Sequence, residues 1–308
     1  MPHQNVAMQD LTPLGPRWGK CGNARPDPTG VGVIGAGDRP RAPFGRRDVP
    51  VTGSRRVGAY VVFSCQDVDG PVPRAGQFYM VAAEQRWGAG DDGRPYLPRA
   101  LSFARAAPSA DGQQLEFVIE LVGPGTERLG ELTVGDNLHL NGPFGNGFDY
   151  QPTASALLVG GGVGVAPLLA LNAEITAAGG SARVMLGFRG AEHAAATTLF
   201  DCEVELTTDD GSAGSHGLVT QLLDAALDGS NQVVYSCGPP AMLEAVRELC
   251  SERDVPVQLA LESGMACGFG ACFGCVVPTR DGYVRLCVDG PVLDGRDLDS
   301  ALVAGAGH

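Results

Sequence analysis

Four cysteines near the carboxyl end constrain this chain more than any other feature. Their spacing is Cys267-x4-Cys272-x2-Cys275-x11-Cys287. The first three intervals match the plant-type pattern for ligands of a [2Fe–2S] cluster, whose fourth cysteine is more distant. Three thiolates from one loop must fold back on the irons, and Gly268, Gly270 and Gly274 between the ligands permit that. The pattern therefore predicts a helix-poor [2Fe–2S] segment over residues 262–298.

A structural zinc site is the main alternative interpretation of these thiols. Zinc sites usually contain two short cysteine pairs, whereas this segment has one Cys-x2-Cys and a glycine-rich x4 interval. Clustered thiols in a cytoplasmic chain bind metal more often than they form disulfides. We therefore favour [2Fe–2S] over zinc or free thiols. We expect the isolated Cys21, Cys65, Cys202 and Cys250 to be buried or incidental.

Length and charge exclude several classes of protein. A chain of 308 residues can form two ordinary domains and a small appendage. No apolar run reaches the roughly 18 residues of a membrane helix, and the N-terminus lacks a secretory signal, so we expect a cytoplasmic protein. Nine of the 22 basic and four of the 35 acidic residues fall in 1–56, which leaves −18 on 57–308. Such a body would repel nucleic acid.

The chain divides into five predicted regions. Residues 1–56 hold eight prolines and nine glycines and are predicted to be a disordered extension. Gly32, Gly35 and Gly37 in it superficially suggest a phosphate loop, but neither a preceding strand nor a following helix is indicated. Residues 57–150, 151–261 and 262–298 are the predicted barrel, α/β domain and cluster domain, and 299–308 form a tail.

Periodicity predicts two different folds for the two larger regions. Short strands between Gly, Pro and Asp turns indicate a small antiparallel β barrel, with strands at 57–64, 78–82, 100–104, 115–121 and 137–141. Beyond 151, strands alternate with helices, which predicts a parallel sheet with helices on both faces. Its strands are predicted at 156–159, 183–188, 203–207, 232–236 and 257–261, and its helices at 167–178, 218–227 and 241–253.

Glycine turns indicate nucleotide binding in the α/β domain. The first turn follows a strand and leads into a helix opening at Pro167; its glycines are Gly160, Gly161, Gly162 and Gly164. Glycines let a backbone approach a pyrophosphate, and a helix N-terminus supplies N–H donors. A second turn, Cys237-Gly238-Pro239, ends a later strand at the same edge of the sheet, where ligands bind in open α/β folds. Either turn alone is compatible with an ordinary loop, but together they predict a dinucleotide site.

The barrel carries two weaker signals of the same kind. Arg99-Ala100-Leu101-Ser102 offers a cation for a phosphate and a hydroxyl for a ring or a ribose. Gly125 and Thr126 lie in a further glycine turn, this one in the barrel region and before a short helix, which is again an arrangement that suits phosphate.

These elements, in this order, resemble the ferredoxin reductase superfamily. More narrowly, the chain resembles the electron-transfer subunits of NAD-dependent (class 1B) dihydroorotate dehydrogenase over about 57–298. The motifs behind this resemblance are Gly142-Pro-Phe-Gly-Asn-Gly-Phe148, Asp209-Asp-Gly-Ser212, Cys237-Gly-Pro239, Met265-Ala-Cys-Gly-Phe-Gly-Ala-Cys-Phe-Gly-Cys275 and Cys287-Val-Asp-Gly-Pro291. The chain departs from the family at Ile119-Glu120, where an aromatic or basic residue is common, at Ser263-Gly264, which replaces a charged pair, and in its 1–56 extension.

The resemblance implies particular cofactor contacts. It implies FAD held by Arg99, Ala100, Leu101 and Ser102, by the strand residues Val118, Ile119 and Glu120, and by Gly125 and Thr126. It implies NAD over the turn from Gly160 to Gly164, with Cys237, Gly238 and Pro239 near the nicotinamide. The cluster ligands would be Cys267, Cys272, Cys275 and Cys287, and no residue of this chain is assigned a catalytic role.

The implied function is an electron relay. Nicotinamide takes two electrons as hydride and a cluster takes one at a time, so a flavin must stand between them. The resemblance implies that dihydroorotate reduces FMN on a partner subunit, in a heterotetramer of two of each chain, and that electrons then reach [2Fe–2S], FAD and NAD. The alternatives are a reductase subunit of another system (hydrogenase or sulfide dehydrogenase, ferredoxin–NADP oxidoreductase, oxygenase reductase) and a zinc-stapled flavin or nucleotide sensor. The absence of a basic cluster around 187–192 favours NAD over NADP.

Overall fold

A computed structural model describes residues 45–68, 70–88 and 93–303 of the chain. Its first part is a closed six-stranded antiparallel barrel with strand order β1-β2-β5-β4-β3-β6. A short helix, α1, covers Pro124–Gly130 between β5 and β6. The strands are β1 Arg47–Val57, β2 Tyr60–Asp67, β3 Phe78–Ala83, β4 Arg99–Ser109, β5 Gly112–Glu120 and β6 Asn137–Phe144.

Six parallel strands and four helices follow the barrel. Together they form the α/β part that the alternating pattern predicted. The strands are β7 Ser155–Gly161, β8 Ala182–Phe188, β9 Val204–Thr208, β10 Ser215–His216, β11 Gln232–Cys237 and β12 Val257–Ala260. The helices are α2 Val165–Ala177, α3 Ala191–Ala194, α4 Val219–Ala226 and α5 Pro240–Glu252.

Alternate residues of the parallel strands pack into two different hydrophobic cores. On β7, Leu158 packs with α2 and the barrel, whereas Leu157 and Val159 pack with α4 and α5. The same alternation places Leu186 of β8 in the first core and Met185 in the second. A period of two with both sets buried means that helices cover both faces of the sheet. The predicted fold class is confirmed.

The cysteine-rich segment is tied into the α/β sheet. It contains the hairpin β13 Val276–Thr279 and β14 Gly282–Arg285, and then the strand β15 Val292–Asp294. Strand β15 pairs antiparallel with β12, so the sheet order is β10-β9-β8-β7-β11-β12-β15. The sheet is therefore mixed at this edge, because the cluster segment adds one antiparallel strand to the parallel sheet predicted for the α/β domain.

Two predicted boundaries also need correction. Residues 47–56 were predicted to be disordered, but they belong to β1, which pairs with β2 and β6 and closes the barrel. Helix α2 begins at Val165, two residues before the predicted start at Pro167; the proline is tolerated because the first-turn N–H groups have no partner within the helix. The rest of 1–56, with Cys21 and the glycines at 32, 35 and 37, is outside the described residues apart from 45 and 46. No helix in the described part is long and apolar enough to cross a membrane.

Candidate functional site

The four cysteines of the predicted cluster come together as two pairs. Cys275 Sγ lies 3.2 Å from Cys287 Sγ, and both residues are buried. Cys267 is near both the Cys272 thiol and Cys287, since it interacts with each of them. Among the described residues no group of three or more His, Cys, Asp and Glu is placed closely enough to hold a metal ion; the thiols converge pairwise instead.

Backbone amides of the loop surround the sulfur atoms. The Gly274 amide lies 3.4 Å from Cys272 Sγ, and the Cys287 amide 3.5 Å from Cys275 Sγ. Burial alone would raise the pKa of Cys267, but hydrogen bonds from the amides of Cys272, Phe269 and Ala271 hold this pKa at about 6. A donor set of thiols ringed by N–H groups fits an iron–sulfur group, because such hydrogen bonds stabilise thiolates.

The second sulfur pair is more deeply buried than the first. Burial, and next the neighbouring Cys275 thiol, raise the pKa of Cys287 to about 12. Cys272 is exposed and Cys267 is partly exposed, whereas Cys275 and Cys287 are each only 2% exposed. One side of the thiol cluster therefore faces solvent, and the other faces the protein interior.

Hydrogen bonds to Asp289 and Gly290 hold the segment that follows Cys287 against the barrel. Asn146, just after β6, donates its amide N–H to Gly290 O at 2.5 Å and its side-chain Nδ2 to Asp289 O at 2.7 Å. A Cβ on Gly145 would lie 2.4 Å from Gly290 O, so only glycine permits this approach. Two of the motifs that carry the family resemblance, 142–148 and 287–291, are therefore in direct contact.

Arg99 and Gly125 form the most distinctive feature of the predicted flavin site. A Cβ on Gly125 would lie 2.3 Å from Arg99 Nε, so the guanidinium rests directly on the first turn of α1. The same guanidinium lies 5.6 Å from the Trp87 ring centroid and donates to Leu97 O at 2.6 Å. Burial lowers the pKa of Arg99. A cation beside the N–H end of a helix turn is an anion-binding arrangement.

The other predicted flavin residues surround this point. Ala100, Leu101 and Ser102 continue β4 from Arg99. Val118 and Ile119 are buried in the barrel, so their side chains are not accessible to a ligand, and both residues pair with β2. Glu120 Oε1 already pairs with Arg189 Nη2 at 2.6 Å and with His193 Nε2 at 3.2 Å. The Thr126 hydroxyl accepts from the Val122 and Gly123 amides, so it stabilises its own turn.

The two glycine turns of the predicted dinucleotide site pack on each other. A Cβ on Gly164 would lie 2.4 Å from Cys237 O and 2.7 Å from Gly238 Cα. Gly160 and Gly161 end β7, beside the end of β11, and Gly162 has a φ of +56°. Pro239 precedes the first turn of α5. The structure thus brings both turns to the carboxyl edge of neighbouring parallel strands, where ligands bind in such sheets.

Three features near these sites were not predicted from the sequence. Glu262 lies close enough to Cys237 that burial, and then its charge, raise the pKa of that thiol. The Ser263 hydroxyl is buried without a partner. Met80, which the sequence shows only as one more apolar strand residue, packs on the cluster loop. A sequence shows neither the burial of Ser263 nor the other two contacts, which join elements that are distant along the chain.

The comparisons with known proteins agree with this arrangement. The family described as the iron–sulfur cluster binding domain of dihydroorotate dehydrogenase B matches residues 262–299. The electron transfer subunit of dihydroorotate dehydrogenase B (NAD(+)) from Caldanaerobacter subterraneus subsp. tengcongensis is 35% identical, over 79% of this chain and 94% of that protein. The subunit with the same name from Clostridium acetobutylicum is 35% identical, over 73% of this chain and 86% of that protein.

Solved structures show a similar fold. An NADH-dependent reduced ferredoxin–NADP oxidoreductase, studied for flavin-based electron bifurcation, matches with a TM-score of 0.69 and 25% identity, over 82% of this chain and 90% of that one. The ferredoxin reductase of carbazole 1,9a-dioxygenase matches with a TM-score of 0.58 and 26% identity, over 70% and 68% of the two chains.

Proposed function

Since this chain belongs to the electron-transfer subunits of dihydroorotate dehydrogenase B, we propose that it takes electrons from a dihydroorotate-oxidising partner subunit and delivers them to NAD⁺, in pyrimidine biosynthesis. One observation carries the proposal. Four cysteines lie in the segment that the family's iron–sulfur domain matches, and the apolar core that contains two of them, Cys275 and Cys287, also contains Phe78 and Met80 of the barrel strand β3. The chain is thus an oxidoreductase subunit with an iron–sulfur group and a flavin.

We assign the iron–sulfur group as [2Fe–2S], held by Cys267, Cys272, Cys275 and Cys287. The x4 and x2 spacing and the pairwise arrangement of the sulfurs support two irons with two thiolates each. The loop amides of Cys272, Phe269 and Ala271 would favour the charged form of the Cys267 thiolate. When bound, the two groups supply complementary chemistry, since a cluster exchanges single electrons and a flavin exchanges either one or two.

We assign the flavin as FAD, because its diphosphate suits the Arg99 guanidinium lying on Gly125. Ala100, Leu101 and Ser102 would line its ring, and the backbone of Val118, Ile119 and Glu120 would hold its remainder. Thr126 would act by fixing the turn, since its hydroxyl is already bonded to the Val122 and Gly123 amides.

We assign NAD⁺ to the edge formed by Gly160–Gly164 and Cys237–Pro239. The contact of these two turns brings the N-terminus of α2 to this edge, where its amide groups would hold a pyrophosphate. A 2′-phosphate would call for a basic group nearby, and the guanidinium of Arg189 is engaged with Glu120. This pairing favours NAD over NADP.

We propose that the partner docks on the exposed side of the cluster loop and contains FMN, with two copies of each chain. Four large apolar side chains of the cluster segment are exposed, and the first two of them are within three residues of the exposed Cys272 in sequence: Phe269, Phe273, Val276 and Tyr283. Phe273 has a φ of +58°, unusual for a bulky residue, and its ring lies 5.5 Å from the Arg285 guanidinium. Apolar side chains at this density mark a protein-binding surface.

The test is co-expression with the candidate FMN subunit, followed by iron, acid-labile sulfide and flavin analysis of the purified complex. We expect iron and sulfide in equal amounts, FAD as well as FMN, and NAD⁺-dependent conversion of dihydroorotate to orotate. Replacing Cys287 with Ser should remove the cluster and abolish this conversion, while NADH still reduces the FAD. A colourless protein that contains zinc would refute the proposal.

A ferredoxin–NADP oxidoreductase is the second candidate, because the structure of such an enzyme matches 82% of this chain with a TM-score of 0.69. The discriminating measurement is electron delivery from the dihydroorotate-oxidising subunit. If this chain takes electrons only from reduced ferredoxin, and forms no complex with that subunit, the second candidate is correct.

A further inference from the structure

Strand β3 presents two different faces, and one of them lies against the cluster segment. Tyr79 and Val81 belong to the core inside the barrel. Phe78 and Met80 belong instead to the apolar core that contains Cys275 and Cys287. Met80 is 1% exposed. The alternation of a strand therefore directs Met80 out of the barrel, toward the thiols.

The same face continues onto the strand that carries the predicted flavin residues. In the β3–β4 ladder, Met80 pairs with Ala100, and Phe78 pairs with Ser102. Residues directly opposite each other in an antiparallel pair point to the same side of the sheet. Ala100 and Ser102 thus share a face with Met80, one strand away from it.

On its other side, Met80 touches the cluster loop directly. A Cβ on Gly268 would lie 2.5 Å from Met80 Cγ and 3.0 Å from its Sδ. Gly268 has a φ of +80° and directly follows the ligand Cys267. The Phe144 ring closes the same contact, since the Cβ would lie 3.3 Å from it. No side chain could be added at Gly268 without displacing Met80.

We propose that Met80 is a positioning residue that fixes the distance between β4, the strand with the predicted flavin residues, and the cluster loop (residues 267–275). We further propose that electrons pass between the two cofactors across this contact. The inference rests on the proposed function. A buried, unbranched thioether suits such a role, because methionine fills irregular gaps closely. Truncating it leaves a cavity that the surroundings fill only partly, so the loop and the strand lose their fixed spacing.

The experiment uses anaerobic stopped-flow reduction of the cofactor-loaded protein by NADH, with separate flavin and cluster wavelengths. Each NADH gives up two electrons as hydride; one moves on to the cluster and the other stays on the flavin. The variants are Met80→Ala, and Met80→Leu as the volume-conserving change. Met185→Ala is the matched control, because Met185 is equally buried (0% exposed) but lies on β8 against α4 and α5.

We expect the flavin phase of Met80→Ala to keep the parent rate while the cluster phase slows by about tenfold or more, as ångström-scale misplacement does elsewhere. Met80→Leu and Met185→Ala should keep both phases. The cluster reduction potential should be unchanged in Met80→Ala, because a loss of driving force would otherwise explain a slower phase.

Two results would overturn the inference: a Met80→Ala cluster phase as fast as in the parent, or an equal slowing in Met185→Ala. If Met80→Ala loses its cluster, Met80→Val, which removes fewer atoms, takes its place under the same criteria. Failure of the proposed function has a different signature, since the parent protein would then lack iron, sulfide or flavin before any variant is compared.

Discussion

The ion pair between Arg47 and Asp67 allows a sharp test of how the barrel closes. Two bonds, of 2.7 and 2.8 Å, join the guanidinium to the carboxylate, and a third runs to Gly142 O at 2.8 Å. The Asp67 side chain is 0% exposed and that of Arg47 is 10% exposed. Replacing Arg47 with Met leaves a buried carboxylate without its cation, which costs about 3–5 kcal/mol.

The assay is thermal unfolding of parent and variant at equal flavin and iron content. At roughly 2–4 °C per kcal/mol for a protein of this size, we expect the midpoint of Arg47→Met to fall by at least about 6 °C. Arg253→Met is the matched control, because Arg253 pairs with Asp224 where both side chains are about half exposed (47% and 53%). Its loss should cost no more than about 1 kcal/mol.

A double variant separates charge from packing. Arg47→Met combined with Asp67→Leu removes both charges, and replacing a buried pair by apolar groups is often nearly neutral. It should therefore recover most of the lost stability. The reasoning is refuted if Arg47→Met unfolds within about 2 °C of Arg253→Met, which corresponds to no more than about 1 kcal/mol, or if the double variant is less stable than Arg47→Met alone.

Three further substitutions test the cofactor sites. Gly125→Ala should keep the fold but displace the flexible Arg99 side chain, so less flavin should remain bound after gel filtration; unchanged flavin content would contradict the assignment. The added Cβ of Gly164→Ala would clash with the rigid backbone of Cys237, so the NADH concentration that half-saturates flavin reduction should rise. The Cys287→Ser protein is the control and should keep the parent value. Asn146→Ala removes the side-chain hydrogen bond to Asp289 O, worth about 1 kcal/mol, so a chelator should remove iron from this variant faster than from the parent.

The sequence alone predicted those parts of the structure that have strong local signals. The helices at 167–178 and 241–253 are within two residues of α2 and α5, because apolar periodicity and glycine or proline turns mark them locally. The cysteine spacing likewise indicated that distant thiols approach each other, and Cys275 Sγ and Cys287 Sγ lie 3.2 Å apart. Their assignment as cluster ligands, like the flavin and dinucleotide contacts, stays a prediction until cofactor content is measured.

The sequence could not show features that depend on long-range pairing. Strand β1 has only Val49 and Val51 buried, and it includes Pro50 and Gly53, so its composition resembles a linker. It is a strand because β2 and β6 offer it backbone partners. The contact of Met80 with Gly268 is equally invisible, since neither residue carries a motif that identifies the other.

The pairing of β15 with β12 has a consequence for how such a chain could be divided. The polypeptide leaves the α/β sheet at Leu261, supplies all four thiols, and returns to cover the open side of β12. A fragment ending at 261 would present a bare row of amides and carbonyls to other molecules, which invites aggregation. The cysteine-rich segment thus also covers an edge strand that would otherwise pair with other chains, and removing it would destabilise the α/β sheet as well.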